Sequence, residues 1–219
     1  MTLRAPRWVG LANYRYLFSV DPQTWTAVKN TLWMIGVLVP LQVLAAFGLA
    51  LALARARAGV GIFRTIFYLP ALAPPVAATL GFVFILNPAT GPVNAILSHL
   101  GISGPLWFQD PSWAKPSLVM LGVWGVGNTM IIFLAAVLDV PRTLYESAQL
   151  DGAGPFQRLR YVTLPSISPV LLFAAVLGVI QGLQYSTQAY VAAGLASGQA
   201  SQAADVTAVA PTSSATPVA

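Results

Sequence analysis

NTLWMIGVLVPLQVLAAFGLALALA, residues 30–54, decides the fold. The stretch is 25 residues long, carries no charge, and lies between Lys29 and Arg55. A helix that crosses a bilayer needs about 20 mostly apolar residues, so this stretch is long enough to span. Working outward, three more charge-poor runs follow. Thr65 to Leu86 is the second, with Pro70, Pro74 and Pro75 inside it, which predict a kinked or late-starting helix. Pro116 to Leu138 is the third, and Ser166 to about Ala189 the fourth. The whole chain fits this reading. Of its 219 residues 57% are hydrophobic and 8% charged, where a soluble domain carries about 25% charged residues. Mean hydropathy is +0.72. The expected fold is an all-α integral membrane bundle with about four spans. There is no Cys and a single His, His99, so thiolate chemistry and a multi-histidine metal site are excluded.

The connections set an orientation. Arg55 to Arg64 is short and holds three Arg, and Asp139 to Pro165 holds Arg142, Arg158 and Arg160. Asn87 to Ala114 has neither Lys nor Arg and is rich in Gly, Pro and Trp. Positive charge in short loops marks the cytoplasmic side, so 55–64 and 139–165 are expected inside and 87–114 outside. The net charge of +5 is then a matter of membrane orientation and not of nucleic acid. Alternation puts residues 1–29 outside despite Arg4, Arg7, Arg15 and Lys29, so either a further helix is expected upstream, the preferred reading, or the statistical rule is overridden here. After Tyr190 the chain turns to Ala, Ser, Thr and Gly, and 191–219 is expected to be a flexible tail.

The segment 139–165 reads DVPRTLYESAQLDGAGPFQRLRYVTLP. Pro141 suits the first turn of a helix, and Leu144, Tyr145 and Ala148 can share one face of it. Gly152 is a plausible stop, and Pro155 a second start before Phe156 and Leu159. By composition alone, this pair of short helices reads as an interfacial loop resting on headgroups.

The spacing says more. Glu146 opens Glu-Ser-Ala, Gly152 stands six residues on, Val162 sixteen on, and Leu164-Pro165 closes the set. Together with Asp151-Gly152-Ala153 this resembles the EAA motif of binding-protein-dependent ABC importer permeases, with Ser147 where Ala is usual. Gly10-Leu11-Ala12-Asn13-Tyr14, Leu17-Phe18, Asn30-Thr31, the segment from Arg64-Thr65 to Leu69-Pro70, and Asn87 with Gly91 and Asn94 are similar to permeases of the maltose and glycerol-3-phosphate type. The resemblance covers residues 8–190. It implies a transmembrane domain over 1–190 with a cytoplasmic coupling helix at about Pro141 to Leu150. Leu144, Tyr145, Glu146, Ser147, Ala148, Asp151, Gly152 and Ala153 would engage a separate ATPase dimer. A second permease subunit and an extracellular or periplasmic solute-binding protein are the other implied partners, in the plasma (inner) membrane of a bacterium or archaeon. Solute would be a sugar or related polyol, or another small solute, moved by alternating access. Such permeases usually have six or more spans, so the chain is expected to be a shortened form, and a non-functional permease fragment is the alternative.

No cofactor is expected in this chain. It has no G-x-x-x-x-G-K-S/T phosphate loop, so ATP and Mg belong to the partner ATPase. Its six acidic residues, Asp21, Asp110, Asp139, Glu146, Asp151 and Asp205, all fall outside the expected spans, which disfavours ion-coupled transport and an intramembrane hydrolase alike. Asn128, Gln181, Gln184 and Tyr185 lie within spans and are the candidate solute path, with interhelical hydrogen bonding as their simpler role. Trp107, Phe108 and Trp113 are expected in an interfacial aromatic belt.

Overall fold

The computed structural model describes residues 10–56, 59–185, 188–195 and 197–198, and every regular element among them is helical. Leu- and Ala-rich segments favour this, because a helix satisfies its own backbone groups where no water can. A short helix α1 (Ala12–Ser19) precedes α2 (Pro22–Arg55). The start of α2 is chemically marked. Asp21 accepts hydrogen bonds from the Gln23 N–H (2.9 Å) and the Thr24 hydroxyl (3.0 Å), with Pro22 in the first turn. The helix therefore begins ahead of the apolar run, and Lys29 lies within it. At 34 residues it is about 50 Å long, well over the roughly 30 Å of hydrocarbon.

The second expected span is far more sharply broken than a kink. α3 (Val60–Tyr68) runs into a 3-10 turn (Leu69–Leu72), and α4 (Pro75–Ile85) leaves at 98° to it. Pro74 forces Ala73 out of the helical region, with ψ 132°, and is itself extended. α5 (Pro92–His99) sits in the Gly/Pro-rich connection. The third expected span is broken too, into α6 (Pro111–Trp124) and α7 (Gly127–Asp139), bent by 48°. α8 (Arg142–Leu150) follows. α9 (Pro155–Arg158) then passes through a π turn (Leu159–Thr163) into α10 (Leu164–Leu183) without a break. The π turn has a local cause. Pro165 has no N–H to continue the ladder, and its ring crowds the preceding turn, so the Leu164 N–H reaches back five residues to Leu159 O.

Residues 188–195 are helical as well, and Ala192 is buried, so ordered structure passes Tyr190 into the expected tail. Alanines there favour helix. Most of the remaining tail lies outside the described residues. Among the described residues two helices, Pro22–Arg55 and Pro155–Leu183, are long and apolar enough to cross a membrane, and up to four spans result if each bent pair is one broken span.

α2 is the hub, packed mainly on α7 and α10. Ala46, Phe47, Ala50 and Leu53 meet Met130, Phe133 and Leu134 of α7 and Ile167 and Ala174 of α10. Phe47 and Phe133 lie edge to face at 5.9 Å. Glycine sets the spacing of α10 on α2. A Cβ on Gly178 would stand 2.9 Å from Val39 Cγ1, and one on Gly182 2.8 Å from Ile35 Cγ1. Leu32, Leu44, Phe84 and Leu172 point outward and are exposed. That pattern suits lipid and not water.

Candidate functional site

The polar loop folds as a short helix pinned to the bundle. Its first anchor is Tyr145, whose hydroxyl lies 2.9 Å from the hydroxyl of buried Thr163 in the π turn. Tyr145 also packs on the α2–α7–α10 core. The second anchor is the helix end. Gly152 has φ +76°, its N–H donates to Gln149 O (3.0 Å), and the Ala153 N–H donates to Ala148 O (2.8 Å). These are the paired bonds of a Schellman stop, which needs a left-handed residue at this point. Gln157 then accepts from the Gly154 N–H at 2.7 Å and starts α9.

The three apolar residues expected on one face are divided. Tyr145 and Ala148 turn inward and are half-buried, while Leu144 is exposed. The reason is the hydroxyl pair, which commits Tyr145 to the protein's own core. Glu146, Ser147, Asp151 and Gly152 are exposed and Ala153 is half-buried. The Ser147 hydroxyl donates back to Thr143 O at 2.9 Å, so it occupies an Ala position without leaving the helix. Leu150, 91% exposed, and Phe156, 72% exposed, are absent from the residues that the resemblance assigns to ATPase contact. The signal for Leu150 was an apolar side chain directly before the Asp151-Gly152 stop, off the inward stripe of Tyr145 and Ala148.

Toward the other end of the bundle, the polar residues of the spans converge. Asn128 and Gln181 line a cavity of about 150 Å³. Gln181, Gln184 and Tyr185 line a neighbouring cavity of about 360 Å³. Gln42 of α2 borders both and escaped the sequence reading. Its Nε2 donates to Gly122 O at 2.8 Å. That carbonyl is left over at the α6–α7 break, because the Val126 N–H goes to Val123 O at 3.3 Å. The Tyr185 hydroxyl donates to Leu118 O at 3.1 Å. Pro70, Ala73 and Pro75 from one helix break and Gly122 and Gly125 from the other line the larger cavity. Non-helical backbone at membrane depth is tolerated where it borders such a space.

The connection 87–114 is organised by Asn94. Its Nδ2 donates to Pro88 O and Pro105 O, each at 3.3 Å, and its Oδ1 accepts from Trp107 Nε1 at 2.7 Å. Trp107 is thus half-buried and held by the loop itself, edge to face with Trp113 at 5.7 Å. Asp110 caps α6. The Ser112 hydroxyl (2.7 Å) and N–H (2.8 Å) both donate to it and hold its carboxyl below the usual value. Among the described residues no three His, Cys, Asp or Glu side chains gather as a metal site.

Residues 42–218 match the model of the family described as binding-protein-dependent transport system inner membrane component. The chain belongs to this family. Within it, the chain is 35% identical over 189 residues to the probable ABC transporter permease protein YesP of Bacillus subtilis, covering 85% of this chain and 61% of that one. It is 34% identical to the lactose transport system permease protein LacF of Rhizobium radiobacter, over 78% of this chain and 58% of the relative. It thus spans about three-fifths of the length of these curated relatives. A solved bacterial ABC transporter that imports the acidic polysaccharide alginate has a chain superposing with a TM-score of 0.74 at 30% identity, over 84% of this chain and 69% of that one. A second structure, the alginate transporter in complex with its pentasaccharide-bound periplasmic protein, gives 0.75 at 29% identity, over 84% and 68%. The chain is therefore a membrane component of this transport family, helical throughout its described regular elements.

Proposed function

We propose that this permease is the membrane subunit of an ATP-driven, binding-protein-dependent importer for sugars or related polyols. Its partners would be a second permease subunit, a cytoplasmic ATPase dimer and a solute-binding protein on the outer face. The observation that carries this reading is α8. It is a short helix tied to the bundle by Tyr145–Thr163 and ended by Gly152, with Leu144, Glu146 and Leu150 turned away from the bundle. Motion of the ATPase on that outer surface would pass through Tyr145 into the π turn and α10, and so rock the helices around the polar cavities between two packings. ATP and Mg would be used by the ATPase. Relatives named for lactose, sulfoquinovosyl glycerol and trehalose/maltose support the solute class, and Gln42, Asn128, Gln181, Gln184 and Tyr185 offer neutral hydrogen-bonding groups suited to hydroxyl-rich solutes.

The test is Glu146→Lys in cells that have no other copy of the permease. Sugar uptake and co-purification with the ATPase should be lost while the protein still inserts in the membrane. Uptake equal to wild type would refute the coupling role.

A further inference from the structure

The Arg-bearing connections meet at one end of the bundle. Arg55 at the end of α2, Arg142 at the start of α8 and Arg158 at the end of α9 line a cavity of about 640 Å³. No Asp or Glu lines it. Arg158 is partly buried, and its Nε is fully enclosed with no hydrogen-bond partner. Much of the remaining lining is apolar, Leu51, Val137 and Leu138 included, beside the hydroxyl-bearing Tyr145 and Thr163, and Leu138 is 57% exposed.

Three like charges around one cavity repel each other, and an enclosed donor without an acceptor is costly. An anion between the arginines offsets the repulsion. Guanidinium groups match phosphate oxygens in pairs of parallel hydrogen bonds. The apolar part of the lining, with Leu138 reaching the surface, adds a place for a hydrocarbon chain. We propose that this cavity binds the phosphate headgroup of an anionic phospholipid of the cytoplasmic leaflet, with its acyl chain along Leu51, Val137 and Leu138. The same cavity touches α8, α9 and the ends of α2 and α7, so a bound lipid would brace the coupling loop against the bundle. The inference rests on the cytoplasmic placement of residues 139–165 proposed above. The chain has no Cys, so a single Gln149→Cys, labelled from one side of sealed vesicles, reads that placement separately.

The experiment is native mass spectrometry of the full chain in detergent, titrated with phosphatidylglycerol, with phosphatidylcholine and with inorganic phosphate. Phosphatidylglycerol should be held about tenfold more tightly than phosphatidylcholine, and Arg158→Gln should remove most of that preference. Arg55→Gln/Arg142→Gln, at exposed positions, should weaken it without a risk to folding. Equal retention of both lipids by the wild type, or arginine variants that keep the full preference, would overturn the proposal. Binding of inorganic phosphate that phosphatidylglycerol does not displace would keep the phosphate chemistry but overturn the lipid source. Variants that keep the lipid yet lose the ATPase would overturn it in favour of an acidic protein surface as the occupant.

Discussion

Replacing Gly152 with Ala isolates what the end of α8 contributes. An added Cβ would meet nothing within 4 Å, so packing does not enter. The backbone does, because φ is +76° and an L-residue in that left-handed region costs about 1–2 kcal/mol. Two hydrogen bonds depend on this conformation, Gly152 N–H to Gln149 O and Ala153 N–H to Ala148 O. A penalty of that size raises the population of the opened helix end about 5- to 30-fold. Hydrogen exchange of peptides spanning residues 148–156 reads it directly, and protection should fall by the same factor. Gly152→Asn, which tolerates the left-handed region better, should lose less. Unchanged protection in Gly152→Ala, or equal loss in the Asn and Ala variants, would refute the reasoning.

Other consequences follow from the bundle and its outer end. Gln42→Leu strands Gly122 O at the α6–α7 break and should destabilise the protein by about 1–3 kcal/mol, read as a lower melting temperature in detergent, with Gln42→Glu unable to restore the donor. Gly178→Val places a stiff side chain where even a Cβ would meet Val39 Cγ1 at 2.9 Å, and should weaken α2–α10 packing by about 1–3 kcal/mol, checked by the same melt. Asp110 titrates below its ordinary value of 3.8 because Ser112 donates to its charged form. Its stabilisation of the α6 start is complete above the unfolded value and is lost as pH falls through the lower folded one. Protection of the first-turn amides of α6, relative to their intrinsic exchange at each pH, should therefore fall in that acid range for wild type and lose this pH dependence in Asp110→Asn.

Much of this architecture is legible in hydropathy alone, because α2 and α10 lie over uninterrupted apolar runs. The α3–α4 break was half legible. Prolines at 70, 74 and 75 announce an interruption, but its angle depends on Ala73 and Pro74 both being extended. The α6–α7 break was not, since no proline stands at Gly125–Val126 and the carbonyl freed there is satisfied by Gln42, 80 positions earlier. The expected solute-path residues do converge on adjoining cavities, yet Gln42 looked like one more neutral residue in an apolar run. Tyr145 is put by the resemblance, with Leu144 and Ala148, on the face that would engage the ATPase. Its commitment to Thr163, 18 positions on, is a tertiary fact that local periodicity does not carry.

The π turn also fixes a phase. A helix advances about 100° per residue, so the wider turn at Leu159–Thr163 delays everything after it relative to α9 by roughly that angle. With this delay, Ile167, Ala174, Gly178 and Gly182 fall on the side of α10 that meets α2, while Arg158 faces its own cavity and Thr163 meets Tyr145. Deleting one residue of the turn would force a choice between the two alignments. The continuous rod from Pro155 to Leu183 therefore works as two differently clocked halves, and the dial between them sits directly beneath Tyr145.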